Sequence, residues 1–65
     1  MVDDKDIFTA ANILINQHGE TADLAAAQRI DELAERGDLD GAAVWRRIQR
    51  AVGELAKTEP DGPLN

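Results

Sequence analysis

Two glycines, Gly19 and Gly37, divide this chain into three stretches with helical apolar periodicity, and an acidic residue follows each of them. A helix commonly ends at a glycine in a left-handed conformation, and the next one starts well with an acidic residue at its cap or in its first turn. Each glycine therefore predicts that one helix stops and another begins. We expect an all-α fold, a small three-helix domain with short glycine-containing turns and an extended C-terminal tail.

The predicted elements share a single domain of residues 1–65, and they are helices of about 4–18, 21–35 and 39–57 and a tail of 58–65. Asp3 or Asp4 is expected to cap the first helix, and Asp38 or Asp40 the third. The third helix should stop before Pro60, because the residue that precedes a proline avoids helical backbone angles. Only one domain fits in a chain this short, and it hides a modest share of its surface from water. A monomer of this chain would therefore be only marginally stable.

An inward-facing apolar stripe forms on each predicted helix when residues are placed roughly 100° apart. Trp45 is the largest apolar side chain in the chain, and we expect it at the centre of the core. The predicted core consists of the large apolar residues of these stripes: Phe8, Leu14, Ile15, Ile30, Leu33, Trp45, Ile48, Val52 and Leu55.

Three branched aliphatic residues, Ile13, Leu24 and Leu39, lie off these stripes and are expected to face solvent. A single exposed aliphatic residue is ordinary on a protein surface. Together with the thin stability margin, the three residues make protein–protein interaction the leading hypothesis, through a homodimer or through docking to a larger protein.

Thirteen acidic and seven basic residues give a net charge of −6, which repels nucleic acid and anionic lipid. The third helix is the one candidate basic surface, through Arg46, Arg47, Arg50 and Lys57. The alternative hypothesis is therefore a small regulatory nucleic-acid binder that uses this helix as its reader. The net charge and the acidic second helix oppose it, so a solvated or salt-bridged face is the favoured interpretation.

Catalytic chemistry has few residues to draw on, because the chain contains no Ser, Cys or Tyr, a single His and three Thr. We expect no catalytic residue, no cofactor and no enzyme activity of its own, and a role as a non-catalytic enzyme subunit is a more distant hypothesis. His18 with Glu20 and Asp23 could be imagined as a metal site, but a side chain that satisfies the free carbonyls at the end of the first helix is the favoured interpretation.

The segment around Gly41 superficially resembles a calcium-binding loop. Aligning Gly41 with the turn glycine of such a loop puts Arg36 at the first ligand position and Arg47 at the twelfth, where a glutamate is required. The calcium interpretation fails on charge, and we expect no metal site.

Three features favour a cytoplasmic protein. The absence of cysteine leaves no disulfide that would argue for an oxidising compartment. The first six residues carry a net negative charge, whereas a secretory signal starts with basic residues and an apolar run. No apolar run approaches the length that crosses a membrane.

A resemblance rests on short motifs spread over nearly the whole chain: His18-Gly19, alanines leading to Arg29, Gly37-Asp38 with Gly41, Trp45 and Ile48 followed by Leu55, and Pro60 with Gly62. In these motifs the chain resembles a family of short uncharacterised alphaproteobacterial proteins classed as a domain of unknown function. The resemblance implies an all-helical bacterial cytoplasmic protein, and it supplies no activity, ligand or catalytic residue. The ending Leu64-Asn65 departs from the His expected near the C-terminus of such proteins, which weakens a metal site that pairs that position with His18.

Overall fold

The computed structural model describes residues 3–58, of which 93% are helical and none lies in a strand. Its elements are α1 (Asp4–His18), a single 3₁₀ turn (Gly19–Thr21), α2 (Ala22–Glu35) and α3 (Leu39–Thr58). The all-α fold class is confirmed. Thr58, which was predicted to open the tail, is the last residue of α3, and the rest of the predicted tail, 59–65, lies outside the described residues.

The predicted turn at Gly19 is helical in the structure, so helical residues run without interruption over 4–35 and again over 39–58. Gly19 adopts φ 61° and ψ −125°, and its N–H donates to the carbonyl of Ile15. The hydroxyl of Thr21 donates to the carbonyl of His18 at 3.0 Å. These bonds satisfy backbone groups at the end of α1 without any loop residues, and for this reason a 3₁₀ turn replaces the expected non-helical turn. We call Gly19–Thr21 the α1–α2 junction.

The connection between α2 and α3 follows the predicted stop and start signals closely. Gly37 adopts a positive φ of 81°. Its N–H donates to the carbonyl of Ala34 at 3.0 Å, and the N–H of Asp38 donates to the carbonyl of Leu33 at 2.9 Å. This pair of bonds is the Schellman motif, which ends a helix at a left-handed glycine. Asp38 then caps α3, because its Oδ1 accepts the N–H of Gly41 at 2.9 Å.

The other helix starts differ in how they are capped. Asp3 caps α1, since its Oδ1 accepts the N–H of Asp6 at 3.2 Å. Thr21, which was predicted to open α2, instead belongs to the 3₁₀ turn and makes no side-chain cap bond to that helix. Asp23 stands in the first turn of α2 and favours the helix through its charge.

Both α1 and α2 pack on α3, and they contact each other less than either contacts α3. The buried hydrophobic residues are Ile7, Ala11, Leu14, Ala22, Ala26, Leu33, Ala42, Ile48, Ala51 and Val52. Half of them are alanines, which let the helix axes approach closely. Only a few large side chains therefore contribute to the apolar area that this domain buries.

Two of the residues predicted for the core were placed wrongly. Phe8 is 40% exposed, because the buried stripe of α1 runs through Ile7, Ala11 and Leu14 and leaves Phe8 at its edge. Trp45 is half-buried and packs against the outside of the core cluster. Alanines such as Ala11 and Ala26 are fully buried in the core, and helices that pack on small residues approach too closely to leave room for an indole between them.

The other predicted core residues divide into two groups. Leu14, Leu33, Ile48 and Val52 are buried. Ile15, Ile30 and Leu55 are half-buried.

The Asp38 cap and Gly41 should be energetically coupled. A Cβ at residue 41 would lie 2.8 Å from Oδ2 and 3.0 Å from Cγ of Asp38. Gly41→Ala should therefore weaken the cap, which costs about 1 kcal/mol of stability, and raise the helix propensity, which adds about 1 kcal/mol. In an Asp38→Ala background no cap is left to disturb, and the same substitution should stabilise by the full amount. Denaturant unfolding of the wild type, both single variants and the double variant measures this coupling, and strictly additive effects would contradict it.

Candidate interaction surfaces

The three off-stripe aliphatic residues are all exposed, Ile13 by 50%, Leu24 by 59% and Leu39 by 69%. Ile13 lies on α1 and Leu24 in the first turn of α2, so the two flank the α1–α2 junction. Leu39 begins α3, beyond the other end of α2. Since α2 ends at Glu35 and a helix rises about 1.5 Å per residue, the far end of α2 lies roughly 16 Å along the helix from Leu24, and Leu39 follows beyond that end. We refer to Ile13 and Leu24 as the aliphatic pair, which Leu39 does not join.

The four basic residues of the predicted basic surface, Arg46, Arg47, Arg50 and Lys57, are all exposed on α3. The guanidinium of Arg47 donates to the carboxylate of Asp4 at 3.0 Å, although the side chains are 49% and 88% exposed. An ion pair this exposed adds little stability. Its effect is electrostatic, because it places an acidic group of α1 against the basic surface and lowers the net positive charge there.

A shallow groove of about 240 Å³ runs beside this ion pair, between α1 and α3. It is lined by Asp4, Ile7, Phe8, Arg47, Arg50, Ala51 and Glu54. Phe8 is therefore a partly exposed aromatic residue between arginine and carboxylate side chains. We call this surface the Phe8 groove. Sequence reasoning missed it, because helical periodicity alone places Phe8 on the inward stripe.

A larger groove of about 420 Å³ opens at the α1–α2 junction, and we call it the junction groove. Its lining comes from α1, the 3₁₀ turn, α2 and α3: Ile15, Gly19, Glu20, Ala22, Asp23, Val52, Gly53 and Ala56. The charged residues of this lining are both acidic. The sequence signal for this groove was Gly53. A glycine in the middle of a helix lowers helix stability, and at this position it forms no turn that would explain its presence.

The residues of the imagined metal site lie around the same junction. His18 is exposed in the last turn of α1, and Glu20 and Asp23 are exposed nearby in the chain. The carboxylate of Asp23 accepts the backbone N–H of Leu24 at 2.9 Å. Within residues 3–58, no group of three or more His, Cys, Asp or Glu side chains is arranged to hold a metal ion. Over the same range, no helix has both the length and the apolar character needed to cross a membrane.

Comparison with known proteins gives one match. A family model described as a family of unknown function, DUF6961, matches residues 3–60. No curated protein matches the chain, and no solved structure matches it either. Because the family model covers nearly the whole sequence, including every described helix, this all-helical chain belongs to DUF6961, a family of unknown function.

Proposed function

We propose that this protein is a non-enzymatic protein–protein interaction module that self-associates as a homodimer. The observation that carries the proposal is the exposure of the aliphatic pair, Ile13 by 50% and Leu24 by 59%, on two helical segments that meet at one junction. We place the protein in the cytoplasm, and the alphaproteobacterial origin implied by the sequence resemblance stays a prediction.

The surroundings of the pair suit a small interface. Along α1, Ile13 stands between exposed Thr9 and Asn16. Leu24 stands between exposed Thr21 of the 3₁₀ turn and exposed Gln28 of α2. An apolar centre with a polar rim is typical of protein–protein interfaces. The net charge of −6 opposes the approach of a second copy. Because salt screens this repulsion and leaves apolar contact intact, added salt should strengthen the dimer.

Sedimentation of the purified protein at low and moderate salt tests the proposal. We expect the wild type to dimerise more strongly as salt is added. The double variant Ile13→Asp, Leu24→Asp should stay monomeric, because it puts charges at the centre of the interface. Leu39→Asp is the matched control, since it introduces the same charge at an exposed aliphatic residue beyond the far end of α2, and it should dimerise like the wild type.

Two outcomes contradict self-association through this pair: a wild type that stays monomeric at high concentration, and a double variant that dimerises as well as the wild type. In the first case, docking to a larger protein becomes the proposed role. In the second case, the homodimer stands and its interface lies elsewhere.

The alternative function, nucleic-acid binding through α3, is favoured by one observation. Within residues 3–58, Arg46, Arg50 and Lys57 are exposed and form no ion pair. The Arg47–Asp4 pair and the net charge weigh against it. Phosphate-driven binding weakens steeply with salt. Binding to duplex DNA that disappears between low and moderate salt, and in an Arg46→Ala, Arg50→Ala variant, would favour this alternative over the interaction module.

A further inference from the structure

The junction groove combines an apolar floor with small residues at its edge. Its floor includes buried Ala22 and Val52 and half-buried Ile15. Gly53 and Ala56 form the α3 side, and a Cβ at residue 53 would meet no atom within 4 Å. The missing side chain at Gly53 therefore leaves space that an aliphatic side chain from outside can fill.

The charged residues that line the groove are both acidic. Glu20 and Asp23 are exposed on the side of the α1–α2 junction, and neither forms an ion pair within the described residues. On α3, Arg50 lines the Phe8 groove, and Lys57 stands four residues after Gly53 on the exposed face of the helix. An occupant that matches the junction groove needs an apolar seam beside a basic flank.

We propose that the junction groove docks an amphipathic helix of a different protein. The aliphatic side chains of that helix fill the space above Gly53 and Ala56, and its basic flank faces Glu20 and Asp23. Docking of an apolar helix face in a groove is a common mode of peptide recognition, and charges beside the seam set orientation and partner choice. This interaction goes beyond self-association, since the aliphatic pair takes no part in the groove.

Two of the chain's own exposed aliphatic residues, Leu24 and Leu39, are poorer occupants. Acidic residues adjoin both, in Asp23-Leu24 and Asp38-Leu39-Asp40, so the acidic side of the groove repels them. The exposed aromatic residue Phe8 is a better match, because Arg47 and Arg50 share its groove. A second copy that inserts Phe8 is therefore the competing occupant for the experiment to distinguish.

The probes are two synthetic amphipathic helical peptides with the same leucine seam and the same uncharged polar flank, one with lysines and one with glutamates on the other flank. They are titrated into the ¹⁵N-labelled full chain. We expect the lysine peptide to shift the amide signals of Gly19, Ala22, Gly53 and Ala56, and the glutamate peptide to bind at least about tenfold more weakly. The Glu20→Lys, Asp23→Lys variant should reverse this preference.

Gly53→Leu is the variant that separates groove binding from general attraction to an acidic protein. It fills the groove without changing any charge, and leucine suits an exposed helix interior better than glycine, so the fold should be kept. We expect the lysine peptide to bind this variant at least about tenfold more weakly than the wild type, while the helical circular dichroism of the variant is unchanged. If Gly53→Leu does not fold, the reversal by Glu20→Lys, Asp23→Lys carries the test alone, because both of these positions are exposed.

Several results would overturn the proposal. Equal binding of the two peptides, or unchanged binding of the lysine peptide to a folded Gly53→Leu variant, excludes the groove as its site. Groove signals that shift with protein concentration in the absence of peptide, and stop doing so in Phe8→Ala, identify a second copy as the occupant. Lysine-peptide binding that persists in the Ile13→Asp, Leu24→Asp variant supports the groove independently of the homodimer, so the two proposals fail separately.

Discussion

Ile48→Ala should lower the free energy of unfolding by about 2–5 kcal/mol, the range typical of isoleucine truncation in a core. Ile48 is 4% exposed and lies in one cluster with Ile7, Leu14 and Val52. Because alanines make up half of the buried hydrophobic residues, each large side chain accounts for a large share of the apolar burial. A domain of this length has roughly 3–10 kcal/mol of stability in total, so we expect the variant to be substantially unfolded at room temperature.

Circular dichroism during denaturant unfolding measures this loss. Leu39→Ala is the matched control, because it truncates an aliphatic residue of the same helix that is 69% exposed. Its effect should stay within about 0.5 kcal/mol. Similar losses at the two positions would contradict the core described for α3.

Gly19→Ala should destabilise the domain by about 1–3 kcal/mol, the cost of holding an L-residue in a sparsely populated backbone region. Gly19 has φ 61° and ψ −125°, in the mirror image of the β region, which glycine reaches readily and other residues avoid. An added Cβ would meet no atom within 4 Å. The loss of stability should therefore come from backbone strain at the α1–α2 junction, since the added methyl group causes no steric clash.

The same glycine-to-alanine change at Gly53 should have the opposite effect and stabilise the domain. A Cβ added at Gly53 would also meet no atom within 4 Å, but this residue lies in the interior of α3, where alanine is the better helix former by about 1 kcal/mol. Thermal unfolding followed by circular dichroism should show a lower melting temperature for Gly19→Ala and a higher one for Gly53→Ala. A Gly19→Ala variant as stable as the wild type would mean that the junction adopts another conformation in solution.

Helix starts and stops were the most predictable part of this fold, because short-range interactions decide them. Gly37 ends α2 and Asp38 caps α3 with hydrogen bonds that span no more than five residues. Asp3 caps the start of α1 through a hydrogen bond of similarly short range. The exposure of Ile13 and Leu24 was equally predictable, since both lie opposite an apolar stripe whose buried side follows from helical geometry.

The depth of burial and both grooves depended on contacts between helices. Periodicity shows which side of a helix faces inward, but it carries no information on how near the facing helix comes. In this fold Ala11 and Ala26 are fully buried, and such small residues let packed helices approach closely. That spacing leaves Trp45 and Phe8 at the edge of the core and not at its centre.

The sequence by itself determined the all-helical class, the Gly37–Asp38 connection and the residues left outside the apolar stripes, because each of these follows from interactions within a few residues of the chain. Only the structure decided that a 3₁₀ turn joins α1 directly to α2, that Asp4 pairs with Arg47, and that a groove opens beside Gly53. The ion pair and the groove join residues that are far apart in the chain, and their positions are set by how closely the side chains of α1 and α2 pack on α3.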